Sequence, residues 1–208
     1  MPYDSKATKE RILAAATAEF AAHGVAGARV DRIAAQAEAN KRAIYDYFGD
    51  KNALFATVLE HLMADLAQAV PPGEDPLPAY AERLFDYHRA HPEALRLLMW
   101  EALELGDQPV PGEAARTRHY DDKVRAAKTA SQTAAPGDDP GDGAGAGDGD
   151  DARARLFFTL SLVGWTLAMP QLRRMILGPD HTLDQLRPAI ANAVRSLSDT
   201  DETTSPGN

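Results

Sequence analysis

Apolar positions along this chain recur at three- and four-residue spacing from end to end, and no segment alternates with period two. That pattern predicts an all-α protein of about nine helices. Ile12, Ala16 and Phe20 mark the buried stripe of a first helix from about Ser5 to His23. Asp4 or Ser5 can cap its start, and Gly24 suits its C′ position. Val30, Ile33, Ala34 and Ala37 make a short second helix. Asn40 is a good N-cap for a third, which runs to about Phe48 with Ile44 and Phe48 on one face. Asp50 can cap a fourth, with Leu54, Phe55, Val58, Leu59, Leu62 and Leu66 at core spacing. It stops before Pro71-Pro72-Gly73.

The helical period continues in a second block. Pro78 to Ala90, Glu93 to Leu105 and Glu113 to about Ser131 each read as a helix, the middle one with an apolar stripe of Leu95, Leu98, Met99 and Ala102. Arg153 to Leu177 is the most apolar region, broken or kinked at Pro170. Within it, Arg155 to Pro170 is apolar nearly all round and must bury more than one side. Thr182 to Leu197 is a last amphipathic helix. Residues 135–151 are almost wholly Gly, Asp, Ala and Pro, which cannot bury a core and read as a disordered loop. That run lacks the spaced ligands and closing Glu of a calcium loop. Residues 199–208 read as a disordered tail.

Composition narrows the function. The chain has no cysteine, so disulfides, thiolate metal sites and Cys nucleophiles are excluded. No apolar run approaches the roughly 20 residues of a membrane span, and the start lacks the apolar core of a signal peptide. A cytoplasmic protein with no membrane partner is expected. His88 and His91 are i, i+3, with no Cys or third His nearby to complete a metal site. No Ser-His-Asp spacing, metal cluster or phosphate loop supports an enzyme, and no cofactor is expected.

Net charge is −9, which at first argues against a nucleic-acid partner. Its distribution reverses that reading. Residues 1–52 hold eight cations against seven acids, a net +1, and the remainder carries −10. The cations cluster where the third helix begins. Asn40-Lys41-Arg42-Ala43-Ile44-Tyr45-Asp46-Tyr47-Phe48-Gly49-Asp50-Lys51 puts apolar anchors on one side and Lys41, Arg42 and Tyr45 largely off it. A helix laid into a DNA groove requires that division. Three helices, the last two joined by Glu38-Ala39, fit a DNA-binding domain with a helix-turn-helix.

Residues about 6–55 also resemble the N-terminal domain of TetR-family transcriptional regulators. The resemblance rests on Thr8 to Ala16, Phe20-Ala21-Ala22-His23-Gly24, Val30-Asp31-Arg32-Ile33-Ala34 and the Tyr45-Asp46-Tyr47-Phe48-Gly49-Asp50-Lys51 segment. It implies a DNA-binding domain over 1–52 and a helical effector-binding and dimerisation domain over 53–198. It implies that Asn40 caps the recognition helix, that Lys41 and Arg42 reach base edges or phosphates, and that Tyr45 and Tyr47 bond phosphates. Lys51 would pair with a phosphate at the start of the fourth helix, and Arg29 would make a further backbone contact. Two positions depart from the family. Glu38 stands where the turn usually has Gly, a cost of roughly 1 kcal/mol if its φ is positive. Ala28 stands where a Thr or Ser often caps the second helix.

For the rest of the chain the resemblance implies a homodimer on a pseudopalindromic double-stranded DNA operator, released by an unknown small-molecule effector. Tyr87, His88, Met99, Trp100, Phe158 and Trp165 are candidates for the lining of its pocket, against the plainer reading of core. The apolar 155–170 stretch and Thr182–Leu197 could form a four-helix interface between subunits. The resulting reading is a transcriptional repressor. The alternative is a helix-turn-helix co-regulator or activator with no effector.

Overall fold

A computed structural model describes residues 5–71, 75–134 and 146–199. Its helices are α1 (Ser5–Gly27), α2 (Val30–Gln36), α3 (Lys41–Phe48), α4 (Lys51–Ala69), α5 (Leu77–Ala90), α6 (Pro92–Leu105), α7 (Glu113–Ala134), α8 (Ala146–Ala168), α9 (Pro170–Leu177) and α10 (Leu183–Asp199). All regular structure among the described residues is helical. Ten helices stand among the described residues where about nine were expected, because the break or kink expected at Pro170 separates two helices. A proline ring cannot continue the ladder but suits the first helical position, and Pro170 opens α9 there.

Two compact units divide these helices: α1–α4 with α6, and α5 with α7–α10. In the first, Ile12, Phe20, Ile33, Leu54 and Leu59 are fully buried. Phe20 meets Phe55 edge-on at 5.1 Å, joining α1 to α4. Asp50 accepts from the Ala53 amide at 2.8 Å and so caps α4 as its position suggests. The regular turn of α1 breaks at Gly24, where φ is 66° and ψ −179°. The buried face of α6 is Ala94, Leu97 and Glu101, one register step away from the expected Leu95, Leu98, Met99 and Ala102. Two apolar stripes wind round this helix, and periodicity alone does not say which meets α1.

In the second unit α5, α8 and α10 pack on one another through Leu84, Phe85, Val163 and Val194. Arg187 of α10 grips Asp86 at 2.8 Å and Glu82 at 3.0 Å on α5, and Arg89 pairs with Asp184. Within the single chain α8 buries only one stripe, Ala152, Leu156, Thr159 and Val163. Phe157, Phe158 and Trp165 stay largely exposed, so within the single chain the second side of this helix is bare. Residues 146–151, expected in the loop, form the first turns of α8. The remainder of that loop, 135–145, and the tail after Asp199 lie outside the described residues, as does Asp4.

Candidate nucleic-acid interface

The turn between α2 and α3 keeps the geometry that glycine would favour, although Glu38 occupies it. Glu38 has φ 49°, the one non-glycine with positive φ among the described residues. The Glu38 amide donates to the Ala35 carbonyl at 3.3 Å, and the Ala39 amide to the Ala34 carbonyl at 3.0 Å. These two bonds make a Schellman closure of α2. Asn40 then accepts from the Arg42 amide at 2.8 Å and caps α3, as expected. The cap of α2 differs from expectation. It is Arg29, not Ala28, and no side chain of its own caps the helix. Ala28 is buried instead.

On α3 only Ile44 is fully buried, while Phe48, expected in the core, is half-buried beside Tyr47. Lys41, Arg42, Tyr45 and Asp46 are exposed. Lys41 Nζ lies 2.8 Å from Asp31 of α2, and Arg42 lies 3.8 Å from Asp46 one turn on. Tyr47 is half-buried, with Lys9 Nζ over its ring at 5.0 Å. Lys51 Nζ reaches the carbonyls of Ala26 and Ala28, both at 3.4 Å. Arg29 is exposed at the start of α2. The seven residues singled out from sequence thus sit on α3, its cap and the adjoining starts of α2 and α4.

Beneath this surface lies a support that sequence reading missed. Glu19 of α1 is only 6 % exposed, yet charged. Arg32 of α2 donates to it through Nε at 2.8 Å and Nη2 at 2.5 Å, and the Arg29 amide donates at 2.8 Å. Glu19 therefore caps α2 from outside and ties it to α1. Its position beside Phe20 on the α1 stripe was the available signal, since a carboxylate on a buried face needs partners. The Arg32 hydrogen bonds hold the Glu19 carboxyl below its ordinary range, against the opposing effect of burial. The stability it contributes is complete above that range and is lost as pH falls through the folded value. The urea midpoint of the wild-type chain should drop between about pH 5 and pH 3 more steeply than that of E19Q. Circular dichroism reads both, and parallel curves would exclude the ion pair.

A second support comes from α6. Arg96, Trp100 and Glu104 are spaced i, i+4, i+8 along one face. Arg96 Nε and Trp100 Nε1 donate to the Ala21 carbonyl at 2.8 and 3.4 Å, and Glu104 accepts from the Ala26 amide at 3.2 Å. The Trp100 ring covers Gly24, and a Cβ built there would lie 2.8 Å from it. The break between α1 and α2 is therefore held by α6 on one side and Lys51 on another.

The six residues considered for a ligand pocket do not gather in one lining. Met99 and Trp100 are on α6 in the first unit, with Trp100 placed against Gly24. Tyr87 and His88 are neighbours on α5, His88 buried, their rings 5.5 Å apart. Phe158 and Trp165 line an open groove of about 370 Å³ with Ser161, Leu162, Thr166 and Leu197. A tighter cleft of about 10 Å³, room for one water, lies among Asp75, Leu77, Tyr80, Lys123, Ala126, Ala127 and Leu156. Lys123 is buried there beside the rings of Tyr80 and Tyr120, at 5.4 and 5.5 Å, and burial pushes its ammonium down to about 8.

Residues 12–58 match the model of bacterial regulatory proteins of the tetR family, and residues 76–138 match a tetracyclin repressor-like C-terminal domain. The chain is 46 % identical over 197 residues to the HTH-type transcriptional repressor SCO4008 of Streptomyces coelicolor, covering 94 % of this chain and 97 % of the relative. It is similar to the solved transcriptional regulator SCO4942 of Streptomyces coelicolor, at 33 % identity and a TM-score of 0.69, covering 91 % and 97 % of the two chains. The SmeT–triclosan complex shares the fold at 20 % identity and a TM-score of 0.59, covering 90 % and 91 %. No described helix is long and apolar enough to cross a membrane.

Proposed function

The chain belongs to the TetR family of bacterial regulatory proteins, and we propose that it works as a dimeric repressor whose hold on a pseudopalindromic operator is relieved by a small molecule. It is a DNA-binding transcriptional repressor rather than an enzyme. Operator binding puts its work in the cytoplasm, beside the chromosome. The observation that carries the reading of the DNA face is the capped helix α3, anchored by Ile44, with Lys41, Arg42 and Tyr45 directed off its buried side. Asn40, Tyr47, Lys51 and Arg29 flank it and supply phosphate contacts.

Dimerisation is supported by the exposed apolar side of α8, where Phe157 and Trp165 are 65 % and 57 % accessible. Rings that large, left in water on one face, favour association. Two copies would present two α3 helices about one DNA turn apart, or a multiple of it. A fold that holds triclosan in SmeT supports an organic effector for the second unit. Binding would favour a dimer whose α3 helices are mis-spaced for the operator.

Titrating the operator at fixed salt tests the reading. Arg42→Ala should lose about 1–3 kcal/mol, roughly 5- to 150-fold, if its guanidinium reads a base edge. Tyr47→Phe should lose less, in keeping with one phosphate hydrogen bond. Unchanged affinity in both would overturn the assignment of α3.

A further inference from the structure

We propose that Asp31 and Lys41 act as a single reading unit for one G·C base pair in each half-site. This rests on the reading of α2 and α3 as the DNA face. Lys41 Nζ and Asp31 Oδ1 are 2.8 Å apart, on two different helices, and 49 % and 64 % of their side chains are exposed. An exposed pair of this kind contributes little to stability, so stability alone gives it no role. The groove edge of a G·C pair offers a keto acceptor on guanine and an amino donor on cytosine, themselves hydrogen-bonded neighbours. An ammonium and a carboxylate at hydrogen-bond distance match those two groups side by side. Lys41 donates to guanine O6 and N7 while Asp31 accepts from cytosine N4.

The other three pairs fit less well. T·A keeps an acceptor and a donor in the same order, but sets the thymine methyl beside the ammonium and adenine N7 beside the carboxylate. C·G and A·T reverse the order and oppose like with like. Asp31 is suited to the acceptor role, because its hydrogen bond to Lys41 holds its carboxyl below the usual range and keeps it ionised. Arg42 has a looser carboxylate neighbour, Asp46 at 3.8 Å on its own helix, so it is free to move independently.

The carboxylate has a second effect. Sequence-independent binding grows with the number of cations delivered to phosphates. With Asp31 against it, Lys41 delivers almost no net charge to a random duplex. Asp31 thereby lowers binding to wrong sites and rewards the right base pair at the same residue.

The test uses the full-length protein and an operator selected from random duplexes. Each position of the half-site is then changed to all four base pairs. The wild-type chain should prefer G·C at one position by roughly tenfold or more. In D31N, whose amide both donates and accepts, that preference should collapse at this position alone. Affinity for random DNA should rise, and the slope of log K against log salt should steepen by about one. Base preferences unchanged throughout, or lost equally at every position, would overturn the proposal. Lys41→Met and Arg42→Ala separate this from the underlying reading. If neither alters operator affinity, the DNA face itself is misassigned. If both weaken it while D31N leaves the preferences intact, only the joint reading by Asp31 and Lys41 fails.

Discussion

Gly24→Ala should destabilise the first unit by about 3 kcal/mol or more, through two separable effects. The backbone at Gly24, φ 66° and ψ −179°, lies in a region open essentially to glycine alone, and a side chain there costs about 1–3 kcal/mol. The new methyl would also stand 2.8–3.0 Å from Trp100 ring carbons. Overpacking of that order typically costs a further 1–3 kcal/mol, because the indole cannot retreat without leaving the Ala21 carbonyl. Urea titration followed by circular dichroism measures the sum. The double variant G24A/W100A separates the parts. Truncating Trp100 removes the clash and leaves the backbone strain, so the double variant should be more stable than adding the two single losses predicts. Strict additivity would mean that the ring and the methyl never meet. Operator affinity should fall with stability, since the chain leaves α1 for α2 just after this residue.

Phe20→Ala should cost about 3–5 kcal/mol, the usual range for emptying a fully enclosed aromatic site. Phe20 has no exposed surface and meets Phe55 edge-on at 5.1 Å, so its loss also removes a ring contact between α1 and α4. A typical domain has only about 5–15 kcal/mol in all, so much of the stability of this unit goes with one side chain. The denaturation midpoint reads the loss directly. Phe20→Leu should recover most of it, since a leucine fills the greater part of the site. A midpoint close to wild type in F20A would mean that the neighbours collapse into the space.

Residues that act locally were legible in the sequence. Asn40 and Asp50 cap because their side chains bond amides two or three positions on, and spacing alone reveals such bonds. Gly24 interrupts α1 for reasons of its own backbone. The stripes of α1 and α4 were unambiguous because each has one apolar face. The supports beneath α2 and α3 were not legible. Glu19 meets Arg32 across 13 residues, and Arg96 meets the Ala21 carbonyl across 75, so neither has a short-range signature. Helix α6 carries apolar residues on more than one side, and its register against α1 was settled by Trp100 filling the space over a glycine. The exposed rings of α8 mark the limit of reasoning from hydrophobicity. Apolar sequence says that a surface seeks cover, while the described helices leave it bare.

The placement of the two tryptophans has a practical consequence in spectroscopy. Trp100 and Trp165 are the only indoles in the chain, and one falls in each unit. Trp100 is packed on the bend ahead of α2, and Trp165 stands in water on the bare side of α8. Replacing either by phenylalanine leaves one intrinsic fluorophore in the molecule. Emission from the first then follows the first unit, and emission from the second reports whether the bare side of α8 becomes covered, without any attached dye.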